Sequence, residues 1–127
     1  MVLDNLRLAG GRTRNEGRVE LFLNGKWGTV CDTSWDLEDA NVACRQIGYP
    51  SASRAVRGGH YGRGTGPIHL DDLRCSGLER NLESCEHTGG HYCNHTMDAG
   101  VICHPAGNIM SRYQFILREL NALISGP

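Results

Sequence analysis

The sequence predicts an α+β domain stapled by disulfides, with strands gathered around one main helix. Three observations predict it. Val19, Leu21 and Leu23 alternate with Arg18, Glu20, Phe22 and Asn24, the period of a half-buried strand. From about residue 36 to 47 the period becomes helical, with Leu37, Ala40, Cys44 and Ile47 on one face. Six cysteines, at 31, 44, 75, 85, 93 and 103, form an even set without a CxxC pair. That spacing favours disulfides in an oxidising compartment over a zinc ribbon or finger.

Taken in order, Leu6-Arg7-Leu8 reads as a short strand ended by Gly10-Gly11, and Thr13 to Gly17 as a polar turn. Asn24 and Gly25 both tolerate the positive φ of a type I′ turn, so Lys26 to Cys31 is expected to return as the hairpin partner. Trp27 and Trp35 flank Cys31 and are expected in the core, where their apolar area counts most. Ser34 or Asp36 can cap the helix, and Asp36, Glu38 and Asp39 place negative charge in its first turn. Gly48 and Pro50 then stop it.

The stretch from Ser51 to Gly66 is rich in glycine and arginine. Arg54-Ala55-Val56 reads as a short strand, and the glycines after it predict a mobile loop. Arg54, Arg57, His60 and Arg63 can gather there into a cationic, ligand-binding patch. Arginine suits that role because its planar fork holds a carboxylate, sulfate or phosphate through two parallel bonds. A phosphate-binding glycine loop needs a helix after it, and no helical pattern follows, which excludes nucleotide binding.

Ile68 to Cys75 is the next strand and carries adjacent carboxylates at Asp71 and Asp72. Leu78, Leu82 and Cys85 mark a short helical turn, Cys85 to Cys93 is loop-like, and Asp98 to Cys103 closes the domain as a strand. Asn94-His95-Thr96 is an N-glycosylation sequon at Asn94. His87, His91 and His95 are spaced by four, but Gly89-Gly90 between them opposes the helix that would align them on zinc. The domain is placed at 1–104 and a C-terminal extension at 105–127. In that extension Ile109, Tyr113, Ile116, Leu117, Leu120, Leu123 and Ile124 form an amphipathic helical stripe. It suits packing on the domain, joining two copies into a homo-oligomer, or belonging to a neighbouring domain.

A length of 127 residues fits one domain, and the net charge of −1 offers no global field for nucleic acid or acidic membrane. Beneath that balance, Lys26 is the only lysine among 13 basic residues. No apolar run approaches the ~20 residues of a membrane span, so membrane insertion by this chain is not expected. The first residues lack the basic start and apolar core of a signal peptide, which predicts a fragment of a longer secreted or membrane-anchored protein. Oxidised cysteines leave no thiolate, and no GxSxG or HExxH motif occurs, so the residues argue against an enzyme. No organic cofactor is expected.

Six ordered blocks carry a resemblance. They are Gly17-Arg-Val-Glu with Phe22, Gly25-Lys-Trp-Gly-Thr-Val-Cys-Asp32 with Trp35, and Ala43-Cys44-Arg45 with Gly48-Tyr49. They continue with Gly66-Pro-Ile-His-Leu-Asp-Asp-Leu-Arg-Cys-Ser-Gly77, Leu82-Glu-Ser-Cys-Glu-His87 and Asp98-Ala-Gly-Val-Ile-Cys103. From about Leu6 to Cys103 the chain resembles the scavenger receptor cysteine-rich domain of the six-cysteine, group A type. The resemblance implies a small curved antiparallel sheet cradling the helix, and the pairs Cys31–Cys93, Cys44–Cys103 and Cys75–Cys85. It implies an extracellular ligand-binding module that recognises protein, polyanionic or microbial-surface ligands. The alternative is an accessory domain that positions or restrains a neighbouring protease or oxidase.

The same resemblance matches Asp71 and Asp72 to two acidic positions of the family's cation site. Its third acid lies where this chain has Met97, and Asn94 or Asp98 is expected to substitute. A weak calcium site follows, with Kd of ~10⁻⁴–10⁻³ M.

Overall fold

The computed structural model describes residues 5–88 and 92–105. The expected helix of the C-terminal extension therefore lies outside the described residues. Among the described residues, seven strands form around one α-helix: β1 (Leu6–Ala9), β2 (Glu16–Leu23), β3 (Lys26–Val30), α1 (Leu37–Gln46), β4 (Ala52–Val56), β5 (Ile68–Arg74), β6 (Glu86–Thr88) and β7 (Gly100–Cys103). Short 3₁₀ turns span Leu82–Ser84 and His95–Met97. The strand order is β4-β7-β2-β3-β5-β6, with β1 also paired to β2.

The hairpin forms at Asn24 and Gly25, whose φ values of 54° and 78° are those of a type I′ turn. Leu23 then faces Lys26, and Phe22 faces Trp27. This register corrects the expectation for Trp27. Sharing the outward face of Phe22, its ring lies half-buried beside Phe22 (centroids 5.3 Å apart), with the Arg7 guanidinium 4.0 Å from its centre. Trp35, by contrast, is fully buried. The sheet is also not purely antiparallel. β5 runs parallel to β3, because the long crossover through α1 and β4 lets the chain re-enter in the same direction.

Asp36 caps α1 in a reciprocal capping box: it accepts from the Asp39 N–H at 3.1 Å, and Asp39 accepts from the Asp36 N–H at 2.9 Å. The buried face of α1 (Ala40, Val42, Ala43 and Cys44) packs on Leu6, Val19, Leu21, Val30, Leu70, Leu82 and Val101. Three disulfides staple this core: Cys31–Cys93, Cys44–Cys103 and Cys75–Cys85, closing separations of 62, 59 and 10 residues. These are the pairs the resemblance implies.

The outer face of β2 and β3 carries a second, polar layer under the 57–66 loop. Arg18 pairs with Glu20 at 2.8 Å and donates to the Tyr61 and Gly62 carbonyls at 3.0 and 3.2 Å. Gly58 N–H donates to Asp32 at 2.7 Å and Gly64 N–H to Asp98 at 2.7 Å. The expectation of a mobile loop is therefore corrected. Its glycines supply turns, while its peptide groups are fastened to charged side chains on three other segments.

Candidate functional site

Alternation along β5 would send Asp71 and Asp72 to opposite faces. The strand breaks the rule at Asp72, whose φ of 53° is left-handed and uncommon outside glycine. Here the pairing with β6 shifts: Asp71 faces Thr88 and Arg74 faces Glu86, so two β5 residues oppose one on β6. With this bulge both residues line one hollow of about 440 Å³, together with Thr33, Thr88, Tyr92, Cys93 and Met97.

The two aspartates differ in setting. Asp71 is buried, with 5% of its surface exposed, and a carboxylate oxygen lies within 4.8 Å of the Cys31 and Cys93 sulfurs. Asp72 stands at the rim, accepting from the Ser34 hydroxyl at 2.5 Å and from Arg74 at 3.2 Å. The Ser34 bond, aided by Arg74, holds its carboxyl below the usual range, so Asp72 is ionised at neutral pH. Arg74 itself lines an adjoining hollow of about 340 Å³ with Asp72, Cys85, Glu86, His87 and Thr88.

Carboxylates and threonine hydroxyls are the hard oxygen donors that calcium prefers, six to eight at a time. Met97 offers a soft thioether in their midst. The oxygen donors are thus of the type calcium takes, but few in number, and both Asp72 oxygens already accept from Ser34 and Arg74. The other two expected donors are engaged elsewhere. Asn94 caps the His95–Met97 turn, its Oδ1 accepting from the Thr96 N–H at 2.9 Å and from the Thr96 hydroxyl. The Asp98 carboxylate is buried against the Gly64 N–H and faces His95 Nδ1 at 3.0 Å. Neither lines the hollow, which narrows the set to Asp71 and Asp72.

The arginine-rich patch also changes in composition. Arg57 donates through Nε (2.8 Å) and Nη2 to the Trp35 carbonyl, which makes it a strut between the loop and the start of α1. Arg57 is exposed like Arg54, His60 and Arg63, with His60 edge-on to Tyr61 at 4.9 Å, but among the described residues of this patch only Arg57 is tied by its head group to the domain. Of the histidine series, His91 lies outside the described residues, and the other two have separate partners: His87 Nδ1 contacts the Cys85 carbonyl, and His95 bridges Asp98 and the Gly66 carbonyl.

Sequence reasoning missed Thr33, Ser34, Thr88 and Tyr92. A signal for two of them was present. Thr33 lies two residues after Cys31 and Tyr92 one before Cys93, so the Cys31–Cys93 bridge brings both beside Asp71. Thr88 and Ser34 depend on the bulge and on a left-handed residue (Ser34, φ 65°), which no local pattern announces.

A model of the scavenger receptor cysteine-rich domain matches residues 9–104. A scavenger receptor cysteine-rich domain superfamily protein of Patiria pectinifera is 55% identical over 100 residues, covering 77% of this chain and 9% of that protein. Lysyl oxidase homolog 2 of Pongo abelii is 50% identical over 100 residues, covering 78% of this chain and 13% of that protein. The chain thus spans about a tenth of the length of these relatives. Among solved structures, the third such domain of murine neurotrypsin is 48% identical with a TM-score of 0.74, over 77% of this chain and 94% of that one. The dimeric form of the mouse MARCO domain is 44% identical with a TM-score of 0.65, over 77% and 93%. Family model, identities and fold agree across most of the chain, and the protein belongs to the scavenger receptor cysteine-rich family.

Proposed function

We propose that this domain is an extracellular, non-catalytic ligand-binding module whose recognition surface is the hollow around Asp71 and Asp72, served by a weakly held calcium ion. The observation that carries this reading is the left-handed Asp72, with which two adjacent acidic residues line one hollow at the cost of local backbone strain. Strain of that kind is retained where the surrounding structure enforces it, here through the Ser34 and Arg74 bonds. Protein, polyanionic or microbial-surface ligands are the classes the module would meet. A calcium ion at the hollow would present positive charge to an acidic group, and Arg54, His60 and Arg63 offer a second contact for a polyanion. All six cysteines are in disulfides, so none supplies a nucleophilic thiolate.

Calcium titration by calorimetry or NMR on the native protein and on Asp71→Ala/Asp72→Ala tests the reading. Saturation of the native protein in the range ~10⁻⁴–10⁻³ M, lost in the double variant, is the expected result. Identical, featureless titrations would move ligand contact to the arginine face.

A second reading is favoured by the match to a lysyl oxidase homolog, of which a domain like this one is about an eighth. In that setting the module positions or restrains a neighbouring enzyme domain. Comparing the activity of the full-length protein with and without residues 1–104 would distinguish the two.

A further inference from the structure

Two hollows meet at the β5 bulge. Asp72 and Thr88 line the one around Asp71 and also line the neighbouring hollow of about 340 Å³. Among the described residues, Arg74 is the only arginine or lysine lining either of them. Arg74 is the cross-strand neighbour of Glu86, yet its ion pair is with Asp72, Nη2 to Oδ2 at 3.2 Å. The arginine side of this pair is the open one: 68% of the Arg74 side chain is exposed, against 18% for Asp72. Exposed pairs of this kind contribute little and exchange partners easily. The other Asp72 oxygen, Oδ1, is committed to the Ser34 hydroxyl. Any cation drawn to Asp72 therefore competes with Arg74 for Oδ2.

We propose that Arg74 is the specificity-determining residue of this surface: it yields Asp72 Oδ2 to a divalent cation and takes a carboxylate of an acidic peptide in the neighbouring hollow. The inference rests on the reading of the Asp71–Asp72 hollow as a calcium-served recognition surface. The charges account for the exchange. Ser34 is neutral and keeps its bond to Oδ1 beside a cation. The Arg74 guanidinium and a cation repel each other over one oxygen, and the long, exposed arginine is the partner that moves. Parted from Asp72, the guanidinium needs another anion, and a carboxylate matches its fork through two parallel hydrogen bonds. A peptide that holds Arg74 away from Asp72 in turn leaves Oδ2 to the cation, so each ligand strengthens the binding of the other. Glu86 lines the same hollow and repels a dense row of negative charges. An isolated carboxylate is therefore favoured over a heavily sulfated polymer, which the like charge of Glu86 selects against.

Two measurements test it on the native protein, Arg74→Gln, Arg74→Lys and Asp71→Ala/Asp72→Ala. One is calorimetry with calcium alone. The other is binding to an immobilised peptide of alternating glutamate and glycine, in calcium and in a chelator. Arg74→Gln is expected to bind calcium about two- to fivefold more tightly, because the competing guanidinium is gone, and the peptide on the order of tenfold more weakly. These opposite shifts separate a recognition role from damage to the fold, which would weaken both. Arg74→Lys should keep the native calcium affinity and recover only part of the peptide binding, since an ammonium supplies the charge without the fork. In the native protein calcium should strengthen peptide binding, and the double aspartate variant should lose that gain. Equal peptide binding by the native protein and Arg74→Gln, with calcium binding intact in both, overturns this inference and leaves the hollow as a calcium site. Calcium binding that is absent from the native protein, or retained in full by the double variant, overturns the underlying reading and the exchange with it. Dextran sulfate binding that falls in Arg74→Gln as far as peptide binding does overturns the assignment to an isolated carboxylate.

Discussion

The indole N–H of Trp35 donates to the Gly100 carbonyl at 2.8 Å, tying the residue before the α1 cap to the first residue of β7. The same Trp35 offers its own carbonyl to Arg57 at the head of the 57–66 loop. One buried aromatic residue thus joins helix, closing strand and loop. Trp35→Phe keeps most of the packing but strands a buried acceptor, and should cost ~1–3 kcal/mol. Trp35→Ala opens a cavity as well and should cost ~3–5 kcal/mol. Urea unfolding of the two variants checks the order.

The disulfides should not be equivalent. On the loop-entropy account, the bridges closing 62 and 59 residues are each worth about 4 kcal/mol and the bridge closing 10 nearer 3. Cys44→Ala/Cys103→Ala also removes sulfurs from the centre of the core, so its melting temperature should fall furthest. Cys75→Ala/Cys85→Ala, which opens the shortest loop, should fall least. Thermal unfolding of the three double variants tests the ranking.

Asp39 predicts a pH dependence. Burial pushes its carboxyl up to about 6, although the Cys75 and Asp36 N–H groups bonded to it pull the other way. The folded state therefore binds the proton at a higher pH than the unfolded chain does. The contribution of this group to stability is fully present below about pH 4 and is lost as pH rises through about 6. Chemical denaturation at pH 4, 5, 6 and 7 should show a downward slope that Asp39→Asn removes. The variant should also be less stable, because an amide cannot accept from both the Cys75 and Asp36 N–H groups.

Fastening of the arginine-rich loop should depend on Asp98. Asp98→Ala leaves the buried Gly64 N–H without its acceptor, a loss of ~1–3 kcal/mol, and releases His95 from one partner. Hydrogen exchange at the Gly64 amide should accelerate in this variant more than exchange in α1. Gly64→Ala probes the same contact sterically, since a Cβ there would lie 2.5 Å from Thr29 Cγ2 and 3.2 Å from Asp98 Oδ2. Comparable exchange in the variants and the native protein would show that the loop is held by other contacts.

Met97 stands among the oxygen donors of the hollow without contributing one. Met97→Glu adds a third carboxylate and should tighten calcium roughly tenfold or more, since affinity follows ligand charge. Met97→Gln adds an oxygen without charge and should gain much less. Calorimetry on the two variants separates charge from simple donor count.

What the sequence by itself determined were the elements whose signals are local. Asn24-Gly25 specifies the hairpin because only residues that tolerate positive φ make that turn, and Asp36 with Asp39 writes the start of α1 into four residues. Trp27 was expected in the core, and the register that sets Phe22 opposite Trp27 placed it outward instead. Only the tertiary structure decided the rest. Whether β5 joins β3 in parallel depends on the crossover through α1, and whether Asp98 serves an ion or a loop depends on where Gly64 comes to lie. That Asp71 and Asp72 line one hollow goes with a left-handed residue held by Ser34, 38 positions away in the chain. Such choices are made by long-range contacts that offset local strain, and a pattern read over neighbouring residues carries no record of them.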